Sequence, residues 1–191
     1  SLHDVLQMVS EFRRQDQDTP VVLMGYLNPV EVMGYKEFAA SAAAAGVDGV
    51  LTVDIPPEEG HDLVQALKDA ELDPIFLAAP TSNPYRLKLI AGAGSGFIYY
   101  VSLKGVTGSA NLVVDEVAAK LAQIRELSNL PLGVGFGIKD AEMAARMAKI
   151  SDAVIVGSAL VSRIEEHRDQ PMEINRVLGQ LIREMRQAID A

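Results

Sequence analysis

The chain has no cysteine and no tryptophan among its 191 residues, and its three histidines, His3, His61 and His167, lie far apart. Without cysteine there are no disulfides, iron-sulfur clusters, thiolate nucleophiles or zinc ribbons. The scattered histidines lack metal-ligand spacing, so no metal and no cofactor is expected. Basic residues are also scarce. Seventeen Lys and Arg stand against 26 Asp and Glu, a net charge of -9, which is the wrong sign for a nucleic-acid footprint. No apolar stretch approaches the roughly 18 residues of a membrane helix, and no basic n-region precedes a small-residue cleavage site. A cytoplasmic protein with neither nucleic acid nor membrane as partner is expected.

What is present is a globular composition, 49% hydrophobic and 23% charged. Six short apolar runs recur along it: Val21 to Tyr26, Asp48 to Asp54, Pro74 to Ala79, Phe97 to Ser102, Pro131 to Phe136 and Ser151 to Val156. Each is nearly continuous in apolar residues, as a strand buried on both faces requires, so they read as parallel strands. Helical patterns alternate with them, over Leu2 to Gln15, Val30 to Ala45, Glu58 to Glu71, Asn83 to Ala91, Asn111 to Leu127, Lys139 to Ala148 and Pro171 to Ile189. Gly46 is placed to close one helix, and Asn83 followed by Pro84 to open another. The alternation specifies a parallel α/β sheet with right-handed crossovers, and residues 1–191 read as one domain. A doubly wound sheet and a (β/α)8 barrel remain level on spacing. The first lacks its G-x-G-x-x-G or P-loop after Tyr26, and the second has six of its eight units.

In either fold the loops after the strands hold the ligand. The last two runs end in Gly135-Phe136-Gly137-Ile138 and Val156-Gly157-Ser158-Ala159. Glycine lets backbone amides approach an anion, and a helix N-terminus adds its dipole, so the pair points to phosphate. Each alone is equally an ordinary tight turn. Residues 103–111, with Gly105 and Gly108, suit a mobile lid or a plain surface connection. Lys104 lies in that polar loop and makes a poor Schiff-base candidate. Asp54 is the only carboxylate at a strand end, and capping its own following turn is its simplest role. Tyr26, Tyr99 and Tyr100 supply phenols that in strands serve mostly as packing. The inventory holds a binding site with too little acid-base equipment.

Five segments, in order along the chain, resemble the tryptophan synthase alpha chain, a (β/α)8 barrel family. They are Leu23-Met24-Gly25-Tyr26-Leu27-Asn28-Pro29; Gly46 to Val50 with Asp54-Ile55-Pro56; Tyr100-Val101-Ser102 with Gly105-Val106-Thr107-Gly108; Gly135 to Ile138; and Val156 to Ala159. The resemblance implies a lyase cleaving indole-3-glycerol phosphate to indole and glyceraldehyde 3-phosphate in tryptophan biosynthesis, with a beta chain as partner that receives the indole. By position it implies Gly108, Gly137, Gly157 and Ser158 at the substrate phosphate, and Leu51, Val53, Leu77, Tyr99, Val101 and Phe136 around the indole. It puts Thr107 in the closing loop and Asn28 and Pro56 at the partner surface. The family's first two βα units, which carry its acid-base glutamate and aspartate, have no counterpart here. The expectation is therefore six of eight units, no catalytic residue in the chain, and no activity by the chain alone. Another phosphate-binding barrel enzyme, or a non-catalytic ligand or partner module, are the alternatives.

Overall fold

The structure, a computed structural model, describes residues 1–102, 110–135 and 137–191. Its contacts define two compact units, Ser1–Leu77 with Asn83–Ile98, and Ala78–Ser82 with Tyr99–Ala191.

The first unit runs α1 (Leu2–Arg13), β1 (Val22–Gly25), α2 (Leu27–Met33), α3 (Tyr35–Ala45), β2 (Gly49–Thr52), α4 (His61–Asp69), β3 (Asp73–Ala78, all but its last residue) and α5 (Pro84–Ala93). Its strands are parallel, with Val22 opposite Gly49, Gly25 opposite Thr52, and Leu51 opposite Ile75. Phe38, Ala39 and Ala42 of α3, Leu63 and Leu67 of α4, Leu6 and Val9 of α1 and Val50 of β2 form one buried apolar cluster. The alanines of α3 let the helix backbone lie close, and burial of Phe38 is worth about 2 kcal/mol or more over exposure. Asn83 opens α5 by accepting the Arg86 amide at 2.9 Å, with Pro84 in the first turn, as expected. Gly46 closes α3 with a left-handed φ of +92°.

Three expectations fail here for identifiable reasons. The single helix over Val30 to Ala45 is two, because Gly34 takes φ +91° and ψ 133°, and the Phe38 amide starts a new helix from the Gly34 carbonyl at 2.8 Å. The helix expected from Glu58 begins at His61, because the amides of Glu59 and Gly60 both turn back to the Pro56 carbonyl. A run as apolar as β1 reads as buried on both faces, yet Val22 is 38% and Met24 61% exposed. β1 ends the ladder of its unit and receives packing from one strand neighbour, whereas β2, between two, is buried throughout.

The second unit contains β4 (Ile98–Val101, all but its first residue), α6 (Ala110–Arg125), β5 (Leu132–Gly135), α7 (Ala141–Ala148), β6 (Ala153–Ile155), α8 (Ser158–Glu166) and α9 (Pro171–Asp190). β5 and β6 are parallel, with Gly133, Val134 and Gly135 opposite Ala153, Val154 and Ile155. The Ser102 amide donates to the Gly135 carbonyl at 3.1 Å, tying the end of β4 to the end of β5. Val117, Leu121 and Ile124 recur at helical spacing along α6 and are buried with Leu132 and Val134 of β5. As with β1, the run that forms β6 is less covered than expected, and β5 is buried at every position. α8, nine residues long with none of them buried, is absent from the helical patterns in the sequence.

Candidate functional site

The register of β5 and β6 brings the two glycine turns out of the sheet together. Gly135 pairs with Ile155, and Gly137 and Gly157 each follow two residues later. Gly137 has φ +73°, a left-handed backbone that L side chains rarely adopt. Gly157 caps the N-terminus of α8, its carbonyl accepting the Leu160 and Val161 amides at 2.9 and 3.1 Å, and Ser158 is the first residue of the helix. Gly157 has φ -123°, which any residue adopts, and a Cβ built there meets no protein atom within 4 Å. Backbone strain does not call for glycine at this position. The missing side chain leaves open space at a helix N-terminus, where the dipole favours an anion. Gly108 of the same predicted set lies outside the described residues, as do Thr107, Lys104 and Phe136.

The residues expected around an indole divide between the two units. In the first, Leu51 is buried and Val53 half-buried on the same face of β2 and its extension, and the Val53 amide donates to the Gly25 carbonyl at 2.9 Å. With Leu51 opposite Ile75, Leu77 falls two residues further along β3. In the second unit, Tyr99 and Val101 share one face of β4 and are half-buried, while Tyr100 and Ser102 point to the other side and are buried. Burial pushes the phenol pKa of both tyrosines up, and for Tyr100 the nearby Glu116 adds a smaller push in the same direction.

Asp54 does not cap its own turn. Its carboxylate accepts the Leu27 amide at 2.8 Å, satisfying the first turn of α2 from the loop after β2. That bond brings the first turn of α2, where Asn28 is exposed, to the loop after β2, where Pro56 is half-buried. Sequence reasoning took Gly135 only as the head of a glycine turn and missed that it makes room for Tyr99: a Cβ there would sit 2.7 Å from Tyr99 Cε2. The available signal was a glycine inside an otherwise apolar strand, which marks close approach of another group.

The family model for the tryptophan synthase alpha chain matches residues 1–190. The chain belongs to the tryptophan synthase alpha chain family. The alpha chain of Thioalkalivibrio sulfidiphilus is 64% identical over 190 residues, covering 100% of this chain and 71% of that protein. That of Nitrosococcus oceani is 59% identical over 191 residues, covering 70% of that protein. Among solved structures, the tryptophan synthase alpha subunit of Legionella pneumophila superposes with a TM-score of 0.90 at 44% identity, over 99% of this chain and 70% of that one. The Pyrococcus furiosus protein, solved to explain mutual activation in its tryptophan synthase a2b2 complex, superposes at 0.86 with 34% identity over 97% of this chain. The fold is that of the (β/α)8 barrel family, with six βα units and parallel strands, and the family's members are lyases of tryptophan biosynthesis. Among the described residues no helix is long and apolar enough to cross a membrane.

Proposed function

We propose that this chain supplies the substrate-holding part of an indole-3-glycerol phosphate lyase. Gly137, Gly157 and Ser158, joined by Gly108, bind the phosphate; the family resemblance alone assigns Leu51, Val53, Leu77, Tyr99, Val101 and Phe136 to the indole and Thr107 to the closing loop. The observation that carries the reading is the pair of glycine turns after adjacent parallel strands, one with a left-handed φ of +73° and one heading α8 beside open space. Amide donors there suit a phosphate dianion, which needs several N-H partners and no side-chain bulk.

The chain's part in turnover is binding and orientation. Asp54, in the loop after β2, is engaged with the Leu27 amide, so in this reading it holds a helix and does not move a proton to substrate. The 191 residues alone are expected to bind the phosphate and release no indole. The first turn of α2 with Asn28 and the loop with Pro56 are our candidate for the surface that meets a beta chain, in the manner of the a2b2 assembly described for the Pyrococcus furiosus protein. A cytoplasmic setting goes with this reading.

Calorimetric titration with glycerol 3-phosphate tests the phosphate site. Gly157→Val fills space that no protein atom occupies, so the fold should persist while affinity falls at least about tenfold, because the valine methyls stand where the ligand must come. Undiminished binding by that variant would refute the site. Indole release at a rate near that of a full-length relative would refute the division of labour.

A further inference from the structure

One side-chain device occurs twice, four βα units apart. At the start of β1 and β2, the Asp48 amide donates to the Val21 carbonyl at 2.9 Å, and Asp48 Oδ2 accepts the Val21 amide at 2.6 Å. The same oxygen takes Nη2 of Arg13, the last residue of α1, at 2.7 Å. At the start of β5 and β6, the Asp152 amide donates to the Leu132 carbonyl at 2.9 Å, and Asp152 Oδ2 accepts the Leu132 amide at 2.8 Å. That oxygen takes Nη2 of Arg125, the last residue of α6, at 2.9 Å. In each case one aspartate holds both backbone groups of the residue opposite it, and an arginine ties the preceding helix to that aspartate.

We propose that Asp152, steadied by Arg125, is a positioning residue for the phosphate site at the far end of its strands. The inference rests on the phosphate reading above. By holding the amide and carbonyl of Leu132 together, Asp152 fixes β6 against β5 at the first residue, and the register then runs without interruption through Gly133, Val134 and Gly135 opposite Ala153, Val154 and Ile155. Gly137 and Gly157 are two residues beyond the last pair. A parallel ladder this short has few other bonds to set its register, so freeing its start lets the two amide groups shift relative to each other. An anion gripped by both turns depends on their spacing, and misplacement by about 1 Å is costly to such a site. The arginine-aspartate contact contributes little by itself, since the side chains of Arg125 and Asp152 are 42% and 48% exposed. The Asp48 clamp has the same bonds at strands whose loops carry no phosphate glycines, and so serves as an internal control.

The test is titration with glycerol 3-phosphate of the wild-type chain, Asp152→Ala and Asp48→Ala, alongside amide NMR of Gly137 and Gly157. Asp152→Ala should weaken binding at least about tenfold and move both glycine amide signals, and Asp48→Ala should change affinity less than about twofold with both signals in place. Asp152→Asn keeps an acceptor oxygen for the Leu132 amide and should recover most of the affinity. Wild-type affinity in Asp152→Ala, or equal weakening in Asp48→Ala, overturns the proposal while the phosphate site stands. Failure of the wild-type chain to bind overturns the phosphate reading and this inference with it. Should Asp152→Ala not fold, Arg125→Met is compared with Arg13→Met. The former alone should weaken binding, about threefold, and no difference between the two overturns the proposal.

Discussion

Tyr99 of β4 lies directly against the backbone of Gly135 in β5, so close that any side chain at 135 would occupy the space of the phenol ring. The strand therefore holds a glycine for the benefit of its neighbour's ring, and the ring is one of the groups expected to line the indole site. Gly135→Val should overpack this contact by about 1 to 3 kcal/mol and push Tyr99 out of place. Truncating the ring as well, in Tyr99→Ala with Gly135→Val, should recover part of that loss, a non-additivity that denaturant unfolding of the two single variants and the double variant measures. Additive losses would show that the two residues do not compete for space.

Asp54 serves α2 from 27 residues away through the Leu27 amide. Asp54→Ala should cost about 1 kcal/mol, the usual loss on removing a side chain that satisfies a helix N-terminus. Affinity for glycerol 3-phosphate should be unchanged. A large loss of affinity with stability intact would instead give Asp54 a role at the ligand.

Arg13 closes the first unit from below. Its guanidinium reaches the carbonyls of Gly46 and Thr19 at 2.8 and 2.7 Å as well as Asp48, with its side chain 12% exposed. Gly46→Ala meets two penalties, a φ of +92° that alanine resists and a Cβ 2.7 Å from Arg13 Cγ. We expect a loss of about 2 kcal/mol or more, read from the denaturant midpoint. A loss below about 0.5 kcal/mol would mean the arginine moves aside freely.

Stability should fall off at both ends of the pH scale. The phenols of Tyr99 and Tyr100 have raised pKa values in the folded chain, chiefly from burial. The native state thus holds these protons more tightly than the unfolded one, so their contribution is complete below about pH 10 and is lost as pH rises through the raised values. Tyr100→Phe should flatten this alkaline limb. Asp16 has the opposite sign: the amide and hydroxyl of Thr19 and the amide of Asp18 hold its pKa below the usual 3.8. Its contribution is present above that value and is lost as pH falls through the lowered one. Unfolding midpoints recorded from strongly acidic to strongly alkaline pH check both limbs, and an alkaline limb unchanged in Tyr100→Phe would remove the tyrosine from the account.

Much of this molecule is decided within a few residues along the chain. The alternation of β-branched runs with helical periods, the Asn83 cap, the Gly46 stop and the glycine turns at Gly137 and Gly157 each depend on short-range propensity and pattern, which is why the amino-acid sequence by itself displays them. Local pattern also misleads. It runs one helix through Gly34, whose positive φ divides two, and it passes over α8, a helix of only nine residues. Tertiary structure alone decides which distant groups meet: Asp54 with the Leu27 amide, Asp152 with Leu132 and Arg125, and the Tyr99 ring with Gly135. Such pairs depend on strand register, and register is set when whole strands align, a property carried by no single stretch of sequence.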